Sequence, residues 1–114
     1  MLFWLVYPNP ADSPEMIREH LKAFAYPTGA LRDPRHELVK LSHVTVTPEA
    51  AVFTPGGRIV YRGRIDDRYV DIGQDRQVPT RRDLEEALTA TLGGKPAPQP
   101  ITRAVGCLVA DFLR

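Results

Sequence analysis

The centre of the sequence has the signature of a β-hairpin, and this feature constrains the fold more than any other. A short apolar run, Ala50–Phe53, is followed by a Pro-Gly-Gly turn and then by residues 58–65, where apolar and arginine side chains alternate. We therefore predict two antiparallel strands at these positions. Thr47-Pro48 directly precedes the first strand. Because proline has no amide hydrogen to donate to a sheet, its place at a strand's entrance indicates a backbone of defined shape.

An apolar strand and an amphipathic helix are predicted ahead of the hairpin. The uninterrupted apolar run of residues 2–7 is typical of a strand covered on both faces. Ser13 followed by Pro14 supplies an N-cap and a proline in the first turn, so a helix should begin there and end before Tyr26-Pro27. The apolar face of this helix would comprise Ile17, Leu21 and Phe24.

Two further helices are predicted, one before and one after the hairpin. An aspartate-proline pair repeats the start signal and predicts a short helix over residues 34–42. Residues 66–79 are polar and rich in turn formers, which predicts a loop. Thr80 and Asp83 then have the spacing of a capping box, and a glycine pair at 93–94 supplies the C-terminal cap of the last helix. Its apolar face would comprise Leu84, Ala87, Leu88 and Leu92.

The C-terminal part of the chain is typical of a proline-rich linker followed by an apolar tail. We predict an extended linker at residues 95–100 and a tail at residues 101–114 that contains Cys107. The length of 114 residues suits one domain, so a single domain over residues 1–114 is predicted. Cys107 is the only cysteine, which excludes an internal disulfide and any Cys-x-x-Cys pair for redox exchange or zinc.

The sequence predicts no membrane segment. The apolar run of residues 2–7 is far too short to span a bilayer, and no basic segment precedes it, so it is not a signal peptide. The hydrophobic share of 43% and the charged share of 25% are those of an ordinary soluble globular protein. We therefore expect a cytoplasmic protein without a membrane partner.

The charge pattern does not favour nucleic-acid binding. The formal net charge of +1 gives no overall basic field. A local basic stripe is predicted on the second hairpin strand, opposite a face formed by Ile59, Tyr61 and Ile65. Aspartates follow at once, which predicts a salt-bridged surface in place of a phosphate-binding one. The stripe comprises Arg58, Arg62, Arg64 and Arg68, and the aspartates are Asp66, Asp67 and Asp71.

The three histidines do not predict a metal site. His36 and His43 are separated by a short helix, no His-x-x-x-His pair occurs, and no acid cluster accompanies them. His20 lies off the apolar face of its helix and is predicted to be a surface residue. No metal and no cofactor are expected.

Five segments, which together cover nearly the whole chain, are similar to one known family. They are VYPNPADSPEMIREHL, LRDPRHELVKLSHVTVTPEAAVF, GGRIVYRGRIDDRY, PTRRDLEEALTATLGGKP and TRAVGC. The chain resembles the redoxins, which are thioredoxin-like proteins of the alkyl-hydroperoxide-reductase and thiol-specific-antioxidant type. The resemblance implies an α/β protein with a truncated thioredoxin-like fold, in which a mixed sheet contains the β-hairpin and helices flank it.

The resemblance also implies a binding site at Thr47 and Pro48. In this family the proline that matches Pro48 is typically cis and faces the reactive cysteine, and the residue before it offers backbone hydrogen bonds to an extended substrate. The family's closing glycine-cysteine, here Gly106-Cys107, would supply a second thiol that traps a partner or resolves a mixed disulfide. The residues alone favour a different interpretation, in which Cys107 is a buried small hydrophobe, and a disulfide across a dimer is a further alternative.

The family's catalytic cysteine has no match in this chain. The resemblance implies that it lies on a strand-helix unit before the segment that matches residues 2–10, and residues 1–106 contain no cysteine. In the parent fold that strand lies between those matching residues 2–7 and Ala50–Phe53, so its loss would leave two unpaired edges. Residues 105–112 of the tail or a second copy of the chain would cover them. Alternatively, the chain is a fragment of a longer product.

Two hypotheses for function follow. In the first, the chain is a noncatalytic, redoxin-derived domain that acts as a scaffold or binding module, as a homodimer or strand-exchanged oligomer. In the second, it is a thiol-disulfide oxidoreductase or peroxidase that uses Cys107, or that a partner chain completes with the missing unit; its partner would then be a protein thiol.

Overall fold

The computed structural model describes residues 1–71 and 74–109, which form a mixed α/β fold. Within these residues there are three helices, and the strands form small two-stranded sheets. The backbone divides into two compact units, Met1–Leu41 and a second that begins at Ser42. The helices are α1 (Pro14–Ala23), α2 (Glu37–Ser42) and α3 (Asp83–Leu92), and the strands are β1 (Trp4–Tyr7), β2 (Gly29–Arg32), β3 (Val46–Thr47), β4 (Ala50–Phe53), β5 (Ile59–Gly63), β6 (Tyr69–Asp71), β7 (Gln74–Asp75) and β8 (Cys107–Leu108).

The first unit contains two parallel strands. β1 pairs with β2 in a register that places Trp4 opposite Gly29. The indole of Trp4 covers Gly29 so closely that a Cβ atom there would overlap Cζ3 of the ring and lie 2.9 Å from Cε3. The strand predicted at residues 2–7 is present but shorter, and the prediction that it is covered on both faces is wrong, because Trp4 is 51% exposed. No strand was predicted at β2, since its Gly-Ala-Leu-Arg sequence has no apolar alternation.

Side-chain caps fix the starts of α1 and α2. The Ser13 hydroxyl accepts a hydrogen bond at 3.2 Å from a backbone N–H of the first turn, which confirms the predicted N-cap of α1. The buried carboxylate of Asp33 accepts hydrogen bonds from the N–H groups of Glu37 and Val39 at 2.8 and 3.0 Å. α2 begins at Glu37 and not at residue 34, because the intervening residues form a turn that ends at His36 with a φ of 58°.

The second unit contains the predicted hairpin. β4 pairs antiparallel with β5 and places Val52 opposite Tyr61. β5 ends at Gly63, before the predicted limit, because Gly63 has a φ of 150° and its backbone lies against Thr102. Ile65 therefore lies outside the strand and is half-exposed. The prediction that it shares an apolar strand face with Tyr61 is wrong.

Tyr61 is at the centre of the core of the second unit. Its side chain is fully buried with Ala87 of α3 and with Ala97. The Tyr61 hydroxyl donates a hydrogen bond to the carbonyl oxygen of Arg64 at 2.5 Å and shares another with the hydroxyl of Thr102 at 2.7 Å. Burial raises the pKa of this tyrosine above its ordinary value. The hydroxyl thus joins two segments that are far apart in the sequence.

The proline-rich segment after α3 packs along the second edge of β5. The N–H of Arg62 donates to the carbonyl oxygen of Pro100 at 2.9 Å, and the N–H of Thr102 donates to the carbonyl oxygen of Arg62 at 3.1 Å. Residues 100–102 therefore run parallel to β5. β5 is thus covered on both edges. The assignment of residues 95–100 as a linker and of the whole chain as one domain remains a prediction.

The stretch predicted as a loop, residues 66–79, contains a small hairpin. β6 pairs antiparallel with β7, with Tyr69 opposite Asp75. These strands are too short for a two-residue alternation to be recognised in the sequence, which explains why they were not predicted.

The start of α3 differs from the prediction. Arg82 is the N-cap residue and makes no side-chain capping bond. Thr80 donates both its N–H and its hydroxyl to the carboxylate of Asp67, so it is not available to cap the helix. The capping box predicted from Thr80 and Asp83 is therefore wrong.

The C-terminal end of α3 agrees with the prediction. Gly94 has a φ of 73°, its N–H donates to Thr91 at 3.1 Å, and the N–H of Lys95 donates to Ala90 at 2.8 Å. These bonds form a Schellman motif, which confirms the glycine cap. Leu92 is 71% exposed, so it is not part of the apolar face to which it was assigned. No helix in the described ranges is long and apolar enough to cross a membrane.

Candidate functional site

The Thr47–Pro48 peptide bond is cis, as the redoxin resemblance implies. β3 ends at this bond and pairs antiparallel with β8 of the tail. In this register Thr47 lies opposite Cys107. The structure therefore brings together the three predicted site residues, and the tail occupies a pairing position beside Thr47. Residues 110–112 of the predicted substitute strand lie outside the described residues.

A neighbouring carboxylate holds β3 in position. Oε1 of Glu49 accepts hydrogen bonds from the N–H groups of Thr45 and Val46 at 3.0 and 3.3 Å. On the other side, the N–H of Val109 donates to the carbonyl oxygen of Thr45 at 2.9 Å. Sequence reasoning missed the role of Glu49, since a carboxylate that reaches back across a proline follows none of the short motifs for turns or caps.

Gly106 lies directly against the cis peptide. A Cβ atom at this position would lie 2.7 Å from the carbonyl carbon of Thr47 and 3.2 Å from the nitrogen of Pro48. These distances are too short for a side chain, so the close approach of the tail requires glycine. The backbone of Gly106 thus lies beside the Thr47–Pro48 bond and brings Cys107 next to it.

Cys107 is exposed. The interpretation of this residue as a buried small hydrophobe is therefore wrong, because both residues of β8 are exposed to solvent. The exposure leaves its thiol accessible to a reagent or a partner. Because it is the only cysteine in the chain, no second thiol is present for an intramolecular disulfide.

β4 has one paired and one unpaired edge among residues 1–71 and 74–109, where it pairs only with β5. Arg62 faces Ala51 across this pair and directs its own N–H and C=O towards residues 100–102. Ala51 and Arg62 are therefore a non-hydrogen-bonded pair, in which the backbone polar groups of both residues point away from the partner strand. The N–H and C=O of Ala51 consequently face the unpaired edge.

An ion pair between a partly exposed guanidinium and a buried carboxylate joins Arg64, the residue that follows β5, to α3. Nε of Arg64 donates to Oδ2 of Asp83 at 2.7 Å, and Asp83 is only 2% exposed. This hydrogen bond raises the pKa of Arg64 above its ordinary value. Arg81 places a second guanidinium 3.9 Å from the same carboxylate.

Asp67 accepts hydrogen bonds from the chain that leads into α3. Its Oδ1 accepts from the N–H groups of Thr80 and Arg81 at 2.7 and 2.9 Å, and its Oδ2 accepts from the Thr80 hydroxyl. These bonds, chiefly that from the N–H of Arg81, lower the pKa of Asp67 to about 2. Nε of Arg76 lies 3.8 Å from the same carboxylate.

The contacts of the predicted basic stripe differ from those expected. The partner of Arg64 is Asp83 of α3, which was not among the aspartates considered. Arg62 donates from Nη1 to the carbonyl oxygen of His43 at 2.8 Å. Asp66 accepts from the backbone N–H of Arg68 at 3.0 Å. The side chain of Asp71 lies outside the described part of the structure.

The histidines have structural contacts. His20 is exposed, as predicted; its Nδ1 lies 2.7 Å from the Tyr7 hydroxyl, and its ring packs against Phe24 and Tyr26 with centroid distances of 4.8 and 5.7 Å. Phe24 thus belongs to an exposed aromatic cluster and not to a buried helix face. His36 is buried, with Nε2 2.8 Å from a backbone carbonyl oxygen. Among residues 1–71 and 74–109, no three His, Cys, Asp or Glu side chains are grouped to hold a metal ion.

Comparison with known proteins gives structural likeness without an activity. No known family profile matches the chain, and no curated protein matches it. A crystal structure of an uncharacterized conserved protein from Geobacillus kaustophilus matches with a TM-score of 0.76 and 28% sequence identity, over 95% of this chain and 58% of the other. A crystal structure of a hypothetical protein from Sinorhizobium meliloti 1021 matches with a TM-score of 0.77 and 26% identity, over 95% of this chain and 60% of the other. This chain therefore spans about three fifths of the length of each protein.

Proposed function

We propose that this chain is a thioredoxin-like domain of redoxin type that has no catalytic cycle of its own and acts as a dimeric scaffold or binding module. The observation that carries this proposal is the place of Thr47-Pro48 at the entrance of the β4–β5 hairpin, where Gly106-Cys107 of the tail lies beside it. A proline at this place is typical of the redoxins that the sequence resembles. The two similar crystal structures support a fold shared along almost the whole of this chain.

The cysteine content supports the absence of an independent cycle. Reversible disulfide exchange within one protein uses two thiols, one that attacks and one that resolves the mixed disulfide. Cys107 is the only cysteine in this chain, and it lies in the tail and not at a helix N-terminus, where a thiol gains nucleophilicity. A redox cycle would therefore require a second thiol from another chain.

The unpaired edge of β4 supports a dimer. Exposed strand edges pair readily with a strand of another chain, and Ala51 presents its N–H and C=O at this edge. Two copies of β4 would form a continuous sheet across a twofold axis, with the same residues from both copies at the contact. We therefore infer that β4 forms the contact between the two copies.

Substitution of Ala51 tests the dimer. Ala51→Pro removes the N–H that faces the unpaired edge and leaves the hydrogen bonds between β4 and β5 intact, since proline is tolerated on an edge strand. The matched control, Ala51→Thr, keeps the N–H and suits a strand. Light scattering after gel filtration should give a dimer mass for the unmodified chain and for Ala51→Thr, and a monomer mass for Ala51→Pro.

Two outcomes would reject the edge-paired dimer. One is a monomer mass for the unmodified chain at all concentrations from micromolar to millimolar. The other is a dimer that dissociates on addition of dithiothreitol but is unaffected by Ala51→Pro, because that dimer would be held by a Cys107 disulfide.

The exposure of Cys107 beside Thr47 favours a second candidate function, thiol-disulfide exchange. The Cys107 thiolate would attack one sulfur of a partner's disulfide. A new bond would form between this sulfur and Cys107, and the partner's other sulfur would leave as a thiolate. A second thiol of the partner would then attack the mixed disulfide and release Cys107 as a thiolate.

Enzyme assays separate the two candidates. If the chain has no cycle of its own, it should neither reduce insulin disulfides in the presence of dithiothreitol nor turn over hydrogen peroxide, and Cys107→Ser should behave like the unmodified chain. Turnover that is lost in Cys107→Ser would instead establish the oxidoreductase function. The gel-filtration result for Ala51→Pro does not depend on this outcome.

A further inference from the structure

We propose that the second unit contains a binding site for a small oxyanion, in a cavity of about 280 Å³ lined by Arg64, Asp67, Tyr69, Arg76, Arg103 and Val105. Three arginines and one aspartate are among the residues that line this cavity. Its volume lies just below the range of roughly 300–1,000 Å³ that is usual for ligand pockets, so it suits a small ligand. This proposal is independent of the function proposed above, because the cavity lining includes neither Pro48 nor Cys107.

Asp83 fixes the orientation of Arg64. The Nε and Nη2 atoms of Arg64 face Asp83, at 2.7 and 3.4 Å, so one edge of the guanidinium is used by this ion pair. In the described part of the chain, Nη1 has no hydrogen-bond acceptor. A guanidinium carries five N–H donors in a fixed plane, and its second edge therefore remains able to bind an anion. Because Asp83 already orders the side chain, binding costs little additional conformational entropy.

Asp67, the carboxylate of the cavity lining, is already hydrogen-bonded at both oxygens. Both of its oxygens accept hydrogen bonds from Thr80 and one also accepts from the N–H of Arg81. A carboxylate whose oxygens are already occupied by several donors offers little to the remaining guanidinium groups. Its hydrogen-bonding capacity is therefore used largely by Thr80 and Arg81, which lead into α3.

Asp67 also positions the side chain of Arg76. Nε of Arg76 donates to the backbone carbonyl oxygen of Asp67 at 3.1 Å and lies 3.8 Å from its carboxylate. Within residues 1–71 and 74–109, the two terminal nitrogens of Arg76 have no hydrogen-bond acceptor. Arg64 and Arg76 thus both line one cavity, and the guanidinium of each is held at one edge by hydrogen bonds and has further N–H donors at the other.

The remaining lining residues define the class of ligand. Tyr69 is half-exposed and contributes a phenol, and the guanidinium of Arg68 lies over its ring at 5.9 Å from the centroid. Arg103 adds the third guanidinium. Forked N–H donors match the paired oxygens of carboxylate and phosphate groups. The ligand is therefore a small anion with phosphate or carboxylate oxygens.

An NMR titration tests the site with two probes, inorganic phosphate and malonate. Each is added to the ¹⁵N-labelled chain at constant ionic strength, maintained with potassium chloride. We expect saturable shifts of the backbone amides of Tyr69, Arg76 and Val105. Arg76→Gln should weaken binding about tenfold, as expected for the loss of a charge-assisted hydrogen bond. Arg103→Gln should weaken it in the same direction.

Arg58→Gln is the matched control, because Arg58 is an exposed arginine of the hairpin that does not line the cavity. It changes the net charge equally and should alter the dissociation constant by less than about twofold. Tighter binding of phosphate would identify a phosphoryl ligand, and tighter binding of malonate a carboxylate ligand; both support the oxyanion site. Shifts that do not saturate with either probe, or equal weakening by Arg58→Gln and Arg76→Gln, would overturn the proposal.

Discussion

Arg64 and Asp83 form an ion pair in which a partly exposed guanidinium meets an almost completely buried carboxylate, with 2.7 Å between Nε and Oδ2. Arg64→Met would leave the carboxylate buried beside only the more distant Arg81, and should lower the free energy of unfolding by about 3 kcal/mol. The double variant Arg64→Met, Asp83→Leu removes both charges and should recover much of this loss. Urea unfolding measures both effects.

The control for this prediction is Arg58→Met, which removes an exposed arginine from the same hairpin and should have little effect. If the double variant were at least as unstable as the sum of its single substitutions, the pair would not be coupled and the prediction would fail.

Asp67 should make stability depend on acid pH. Its pKa is about 2 in the folded chain and 3.8 ordinarily, so its contribution is fully present above pH 3.8 and is lost as the pH falls towards about 2. Asp67→Asn removes this contribution, and its urea midpoint should approach that of the unmodified chain as the pH falls through this window. Asp75→Asn, at an exposed residue of β7, is the control for the loss of one negative charge. A profile of Asp67→Asn parallel to that of the unmodified chain would contradict this account.

Gly106 should not tolerate a side chain. In Gly106→Ala the new Cβ would overlap the carbonyl group of Thr47, which should separate β8 from β3 and cost about 1–3 kcal/mol of stability. The reaction of Cys107 with Ellman's reagent should then become faster. Gly56→Ala is the control, since the nearest atom to its Cβ would lie 3.8 Å away. Equal stability of the two variants would show that the tail is not seated on the cis peptide.

The Tyr61 hydroxyl should contribute to stability through its bonds to Arg64 and Thr102. Tyr61→Phe removes the donor of the part-buried hydrogen bond to the carbonyl oxygen of Arg64, and we expect the free energy of unfolding in urea to fall by about 1–3 kcal/mol. Tyr69→Phe removes the hydroxyl of a half-exposed tyrosine and should have a much smaller effect. Similar losses in the two variants would argue against a structural role for the Tyr61 hydroxyl.

The features that the sequence predicts well are those encoded within a few neighbouring residues. The Ser13 cap, the Pro-Gly-Gly hairpin turn and the glycine cap of α3 each depend on backbone groups close in the chain, so a short motif is sufficient. β2 could not be predicted in this way, because α1 separates it in the sequence from its pairing partner β1. The wrong capping box has the same cause, since Asp67 competes for Thr80 across the small hairpin.

The candidate site was predicted in outline only. The resemblance identified Thr47, Pro48 and Cys107, and the structure places them side by side. The resemblance gave no indication of the hydrogen bonds that Glu49 accepts from the backbone of β3 and its preceding residue. These bonds arise from the path of the backbone around the proline. The arginine-lined cavity was equally unpredictable, because its three arginines come from distant parts of the sequence and meet only after folding.

The two compact units carry different natural optical reporters. Trp4, the only tryptophan, covers Gly29 in the first unit, whereas the fully buried Tyr61 lies in the second. Tryptophan emission will therefore follow the melting of the β1–β2 pair and be largely insensitive to the hairpin core. Comparison with a signal from the buried phenol measures how cooperatively the chain unfolds. Coincident unfolding curves from the two probes mean one all-or-none transition, and separate curves mean two.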